Sequence, residues 1–161
     1  MKNIILFVFV ALFSFSGIAQ DAYTAENEGW LVKIEEAYEE SQKTGKPIMA
    51  NFTGSDWCGW CKRLTASVFS KDDFKKWAND NVILLELDYP RRKQLPENIR
   101  RQNAQLRQAF GIAGFPTVWV FKLDRDEANS QFQIVGLGKT GYKSSVKEFT
   151  DDVDRMLAGG Q

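Results

Sequence analysis

The sequence of 161 residues contains no histidine and only two cysteines. Without histidine it has no imidazole metal ligand, and it cannot build a site in which an imidazole activates a serine or a cysteine. The 21 basic and 21 acidic residues cancel, so the composition gives no sign of a nucleic-acid partner or of an anionic membrane surface. The length suits one domain with its own core.

The longest apolar run lies at the N-terminus, where Lys2 is followed by an unbroken stretch from Ile4 to Phe13. This stretch is shorter than the roughly 18–20 residues of a membrane-spanning helix. Gly17-Ile18-Ala19 then fits the small-x-small pattern of a signal cleavage site. We therefore expect residues 1–19 to be a signal peptide cleaved near Ala19, with an uncleaved anchor as the alternative. The mature protein would be periplasmic or otherwise exported, where disulfides persist.

The rest of the chain alternates helical and strand patterns, with no repeat and no linker. We expect a flexible lead-in over residues 20–29 and one domain over residues 30–161. Apolar residues spaced three and four apart predict helices, and short dense apolar runs predict strands. The predicted elements are helix 30–43, strand 48–53, helices 58–68 and 70–81, strand 82–88, helix 98–110, strands 114–124 and 131–138, and helix 144–157.

This order indicates an α/β fold, with a central mixed sheet of about four strands flanked by helices and an extra N-terminal helix. A strand–helix–strand start favours parallel pairing, and a late hairpin adds antiparallel strands. The dense apolar run 82–88 predicts a central strand covered on both faces. In helix 98–110 the predicted inner positions are Ile99, Leu106, Ala109 and Phe110.

Both cysteines lie in the stretch DWCGWCK, as Cys58 and Cys61, between a predicted strand and a predicted helix. A structural disulfide would close too small a loop to remove much chain entropy. A zinc site needs about four ligands, and the chain offers one pair without histidine. A redox pair fits best, because Cys58 at a helix N-terminus gains a stabilised thiolate. Cys61, one turn further in and more buried, can then resolve a mixed disulfide.

The segment Trp57 to Lys62, with the strand before it, resembles the active-site motif of the thioredoxin superfamily. Gly114-Phe115-Pro116-Thr117 resembles the cis-proline segment of that family, and VGLGKTGY resembles its last strand and turn. The resemblance covers roughly Trp30 to Leu157. It implies a thioredoxin fold and a thiol–disulfide oxidoreductase that needs no cofactor, because the two thiols carry the electrons.

The resemblance also implies roles for single residues. Cys58 and Cys61 would be catalytic, with Cys58 attacking a substrate disulfide and Cys61 releasing the product. A cis Pro116 would face the disulfide, and the backbone of Phe115 would pair with an extended substrate segment. Trp57 and Trp60 would form an apolar rim around the exposed sulfur and contribute to substrate binding.

The chain departs from the family at two places. Gly-Trp between the cysteines matches neither Gly-Pro of the cytosolic reductants, Gly-His of the isomerases nor Pro-His of the oxidants, and the missing histidine favours a reductase. An isomerase, an oxidant, or a non-catalytic binding or chaperone module are the alternatives. Asn51 stands where thioredoxins often have a buried aspartate, so proton transfer to and from Cys61 would fall to Glu86, Asp88 or water.

The same resemblance indicates the partners. Substrates would be proteins with disulfides, and an oxidising compartment implies a membrane-embedded electron donor. With only two cysteines, a disulfide-linked dimer would consume an active-site thiol, so we expect a monomer. The segment Tyr89 to Gln105 is longer than in the smallest thioredoxins and is a candidate docking insertion. The motif, the export signal and this segment together look most like exported thioredoxin-like proteins of Gram-negative bacteria.

Overall fold

The computed structural model describes residues 23–125 and 132–159. The expected signal peptide and the tip of the polar turn at 126–131 lie outside these ranges. The elements in chain order are α1 Ile34–Thr44, β1 Ile48–Thr53, α2 Gly59–Leu64 with a π-helical turn Thr65–Phe69, α3 Asp72–Asn81, β2 Ile83–Asp88, α4 Glu97–Ala109, β3 Thr117–Arg125, β4 Phe132–Thr140 and α5 Val146–Gly159.

The four strands form one mixed sheet in the order β2-β1-β3-β4. Strand β1 pairs parallel with β2 and antiparallel with β3, and β3 pairs antiparallel with β4. Helices cover the sheet, and α1 precedes its first strand. This architecture confirms the predicted α/β fold with a four-stranded mixed sheet and an additional N-terminal helix.

The prediction of a central position for β2 is wrong, because the fully buried central strand is β1 and β2 lies at the sheet edge. An extended segment covers that edge. The N–H of Leu31 donates to the carbonyl of Leu84 at 3.0 Å, and the N–H of Glu86 donates to the carbonyl of Leu31 at 2.8 Å. The last four residues of β2 are therefore buried, although only one true strand pairs with it.

The same contacts correct the start of the first helix, which begins at Ile34 instead of residue 30. Trp30 packs into the core, with its ring centroid 4.8 Å from that of Phe69. The N–H of Ile34 is satisfied by the side-chain carbonyl of Gln102 in α4, at 2.9 Å. The apolar spacing typical of a helix thus extends back to residue 30, but the backbone of Leu31 forms its hydrogen bonds with β2 and is not helical.

Helix α4 presents a different inner face from the predicted one. Ile99 and Phe110 are buried, but Leu106 is half-buried and Ala109 is exposed. The buried position between them is Asn103, whose side-chain amide donates to the carbonyl of Asp88 at 2.9 Å. This polar contact ties α4 to the end of β2, close to the redox motif.

Two apolar layers flank the sheet and leave a polar end. Met49 of β1 packs on the side of α2, α3 and α5, whereas Ile48, Ala50 and Phe52 pack on the side of α1 and α4. Because side chains alternate along a strand, Asn51 and Thr53 share the Met49 face. The sheet therefore places buried polar groups on the face that carries α2.

No helix within the described ranges has the length and apolar character that crossing a membrane requires.

Candidate active site

The cysteine motif begins in a turn at the carboxyl end of β1. The N–H groups of Trp57 and Cys58 both donate to the carbonyl of Gly54, at 3.2 and 2.8 Å. A Cβ atom at Gly54 would lie 2.5–2.8 Å from ring atoms of Trp57, closer than any side chain can approach. Glycine therefore lets the indole pack against the backbone and fixes it beside Cys58.

Cys58 and Cys61 are joined in a disulfide, with their Cα atoms 5.3 Å apart. Cys58 is the N-cap of α2, and the N–H of Cys61 donates to its Sγ at 3.2 Å. Cys58 is 6% exposed and Cys61 3%, so both residues are buried, and Cys61 is the more buried of the two. A donor aimed at Cys58 favours its thiolate after reduction.

The segment before β3 lies next to this turn. The Phe115–Pro116 peptide bond is cis. Residue Thr117 pairs with Phe52 in the ladder between β3 and β1, so Pro116 lies at the sheet end from which the cysteine motif departs. The rings of Phe115 and Trp57 meet edge to face with centroids 5.8 Å apart. Within the described ranges, the backbone N–H and carbonyl of Phe115 have no hydrogen-bond partner.

The two tryptophans of the motif have different environments. Trp57 is half-buried, and its indole N–H donates to the carbonyl of Tyr89 at 2.9 Å. Trp60 is 53% exposed and contacts the ring of Tyr142, with a centroid distance of 4.9 Å. The guanidinium of Arg63 stacks 4.6 Å from the Trp60 ring. Trp57 is thus a structural wall of the site, and Trp60 presents an aromatic surface to solvent.

Glu86 is a buried carboxylate on the face of the sheet that carries α2. It is 1% exposed and accepts from the backbone N–H of Glu26 at 2.7 Å and of Asn27 at 3.2 Å, and from the Asn27 side chain at 2.5 Å. Burial raises its pKa above the usual range of glutamate, and these donors only partly oppose that effect. Glu86 and Cys61 line the same cavity of about 210 Å³. These contacts also hold residues 26 and 27 of the expected lead-in against β2.

Asp88, the second candidate for proton transfer, has a different environment. Its two carboxylate oxygens accept from the backbone N–H and the hydroxyl of Ser55, at 2.8 and 2.6 Å. It therefore holds the turn that precedes the cysteines. Asn51 is 2% exposed and pairs with Glu86 in the strand register, and its side-chain oxygen has no hydrogen-bond partner among the described residues. An amide cannot accept a proton as a carboxylate does.

Several residues at the site carry no sequence signal of their own. Asn27 lies in a polar segment, Tyr142 follows the last strand, and Arg107 lies on a strongly basic helix. Tertiary packing alone brings Asn27 to Glu86, Tyr142 to Trp60, and Arg107 to the ring of Phe115. Within the part of the chain that the structure covers, no three metal-ligating side chains cluster.

Comparisons with known proteins agree with this geometry. A family model described as a thioredoxin-like domain matches residues 34–137. The chain is 35% identical over 115 residues to "Disulfide bond reductase DsbH" of Chlamydia pneumoniae, covering 70% of this chain and 67% of that protein. It is 31% identical over 87 residues to "Thioredoxin-related protein DsbJ" of the same organism, covering 54% of this chain but only 25% of DsbJ.

Solved structures show the same similarity. A structure titled "DsbH Oxidoreductase" superposes with a TM-score of 0.70 at 27% identity, covering 89% of this chain and 95% of that chain. A thioredoxin from Thermus thermophilus superposes with a TM-score of 0.57 at 16% identity, covering 81% of this chain and 88% of that chain, which shows the shared fold. The chain therefore belongs to the thioredoxin-like family, as a thiol–disulfide oxidoreductase whose redox group is the Cys58–Cys61 pair.

Proposed function

We propose that the mature chain is an exported, monomeric disulfide reductase that acts on protein substrates. The observation that carries this proposal is the Cys58–Cys61 disulfide at the start of α2, with Cys58 at the N-cap and Cys61 behind it. The reducing direction is supported by the similarity to a protein named as a disulfide bond reductase. It is also supported by the absence of histidine, since no imidazolium can stabilise the reduced thiolate and make the pair oxidising.

The proposed reaction exchanges one disulfide for another. The Cys58 thiolate attacks a sulfur of the substrate disulfide, forms a mixed disulfide and expels one substrate thiolate. The thiol of Cys61 then loses its proton and attacks the Cys58 sulfur, which expels the second substrate thiolate. The substrate gains two electrons, and the protein is left with the Cys58–Cys61 disulfide. No other redox group takes part.

The substrate segment is proposed to lie along Phe115 and Pro116. The unpaired backbone groups of Phe115 can hydrogen-bond an extended chain in the manner of strand addition. Trp57 supplies an apolar wall against Phe115, and Trp60 supplies exposed aromatic surface within the same motif. We assign the proton of Cys61 to Glu86, because Glu86 shares a cavity with that residue and Asp88 is held by Ser55.

Export and re-reduction can be tested together. In an oxidising compartment the pair needs electrons, which we assign to a membrane-embedded donor. One half of the exported fraction of the native host should be quenched in acid, alkylated at free thiols and measured by intact mass spectrometry under denaturing conditions. The other half should be measured untreated by native mass spectrometry. We expect a monomer that begins near Gln20 and carries two alkyl groups. A chain that retains residues 1–19 would contradict export with cleavage. A dimer would contradict the monomeric state, and a chain without alkyl groups would contradict the electron donor.

The direction of electron flow is tested by the reduction potential of the Cys58–Cys61 pair. The protein is equilibrated in glutathione or dithiothreitol buffers, and tryptophan fluorescence reports its redox state because Trp57 and Trp60 flank the sulfurs. We expect a value near or below about −230 mV, as in cellular reductants. A value above about −180 mV is typical of isomerases and oxidants and would contradict the reductase assignment.

A further inference from the structure

A cleft of about 780 Å³ lies between the loop that follows β2 and helix α4, and its lining includes Trp57, which precedes Cys58, but neither cysteine. The rings of Trp57, Tyr89 and Phe115 form an aromatic floor. The centroid of the Phe115 ring lies 5.8 Å from that of Trp57 and 5.2 Å from that of Tyr89. The Tyr89 hydroxyl donates to the carbonyl of Asn103 at 2.7 Å, and the Trp57 N–H is also bonded within the protein. The floor therefore offers ring surface instead of hydrogen-bonding groups.

Two guanidinium groups lie on this floor. That of Arg91 is 3.8 Å from the centroid of the Trp57 ring. That of Arg107 is 5.3 Å from the Phe115 centroid and 5.7 Å from the Tyr89 centroid. A guanidinium stacked on a ring keeps N–H groups available at its edge, and two of them match the two oxygens of a carboxylate. In Arg107 the Nε–H donates to the carbonyl of Ile112 at 3.5 Å, so its terminal nitrogens supply these donors.

These two cations are unpaired, in contrast to the other charges of the cleft. Neither Arg91 nor Arg107 forms a salt bridge with any residue in the described ranges. The other charged groups of the cleft have partners inside the protein: Lys93 with Glu26, Arg100 with Glu97, and Asp88 with Ser55. The chain has no net charge, so this local positive surface is not an effect of the overall charge.

The geometry points to a specificity cleft for acidic protein segments: Arg91 and Arg107, stacked on the aromatic rings, bind carboxylates of an extended substrate segment. The inference deepens the proposed function and rests on it, because the cleft is continuous with the site through Trp57 and Phe115. The occupant is the sequence that flanks the substrate disulfide, with aspartate or glutamate in it. Charge complementarity of this kind governs which substrates associate productively.

Three synthetic peptides test the inference. They share one disulfide and its apolar neighbours, and the flanking positions on both sides carry glutamate, glutamine or lysine. The readout is the ratio of kcat/KM between peptides within each variant, which does not depend on how active that variant is. For the parent we expect the glutamate peptide to be preferred to the glutamine peptide by about tenfold, with less preference at high salt.

The double variant Arg91→Gln/Arg107→Gln should bring this ratio close to one, and Arg91→Glu/Arg107→Glu should reverse it in favour of the lysine peptide. Arg63→Gln is the matched control, because its guanidinium also stacks on a motif tryptophan but lies outside the cleft. It should keep the parent ratio. Equal rates of the parent on all three peptides, or an unchanged ratio in the double variants, would overturn the inference.

The uncharged bis(2-hydroxyethyl) disulfide separates this inference from the proposed function. If the parent reduces it but shows no preference among the peptides, the acidic-segment cleft is wrong and the reductase assignment stands. If the parent reduces neither this disulfide nor any peptide, the proposed function itself is wrong.

Discussion

Replacing Cys58 with serine should abolish disulfide reduction, with a loss of about a thousandfold or more, because a hydroxyl cannot replace the thiolate as nucleophile. Replacing Cys61 with serine should have a different result. The first attack by Cys58 can still occur, but the mixed disulfide can no longer be resolved from within the protein. The Cys61→Ser variant should therefore accumulate covalently bound substrate.

These variants are matched controls for each other, since both exchange one buried sulfur for a hydroxyl within the same turn of helix. Activity is followed as reduction of a protein disulfide. The covalent complex is detected by non-reducing electrophoresis and by intact mass. A Cys58→Ser protein that reduces at the parent rate would contradict the mechanism. A Cys61→Ser protein that forms no mixed disulfide with a substrate of the parent would contradict the assignment of Cys58 as the nucleophile.

The redox motif could be identified from the sequence because its signal is local. A few consecutive residues are enough to recognise each of its parts: the spacing of Cys58 and Cys61, the apolar strand before them and the segment around Pro116. The structure places the cysteines at the start of α2 and Pro116 at the neighbouring end of β3, as these parts indicate. The same locality explains the correct placement of β1.

The errors arose where backbone partners are distant in sequence. Leu31 reads as the first turn of a helix, but its N–H and carbonyl bond to β2, more than fifty residues away. That pairing also gives β2 the dense apolar start that is typical of a central strand, because the covering segment shields its outer edge from water. The partners of Glu86 could not be predicted for a similar reason. Asn27 is 59 residues away from it and lies in a segment without any periodic pattern.

The two candidates for proton transfer, Glu86 and Asp88, differ in packing and not in the type of their reactive group. Glu86 and Asp88 are both 1% exposed and lie on the same strand. Their neighbours differ: Ser55 occupies both oxygens of Asp88, whereas Glu86 borders the cavity that contains Cys61. We therefore expect Glu86→Gln to slow the resolution of the mixed disulfide by about a hundredfold, which is the lower end of the usual contribution of a general base.

The pH dependence gives this prediction its signature. Only the carboxylate form of Glu86 can accept the proton of Cys61, and burial raises its pKa above the usual range of glutamate. The resolution rate of the parent should therefore rise with pH through that raised pKa. In Glu86→Gln this inflection should vanish and leave only the ionisation of the Cys61 thiol. Rapid quenching of a mixed disulfide with a model thiol measures the rate at each pH. Asp88→Asn is the control, and it should keep the inflection.

Stability offers a second readout with its own sign. Because the folded-state pKa of Glu86 is raised, the folded protein holds this proton more tightly than the unfolded chain does. The parent should therefore lose stability relative to Glu86→Gln as the pH rises from the ordinary pKa of glutamate through the raised value. Denaturant unfolding of both proteins across this range measures the difference. A difference that does not change with pH would show that Glu86 titrates normally.

If the rate inflection were lost in Asp88→Asn but kept in Glu86→Gln, the role of proton acceptor would belong to Asp88. A buried carboxylate whose ionisation costs stability as the pH rises, and which also accelerates resolution, would be retained for its chemistry.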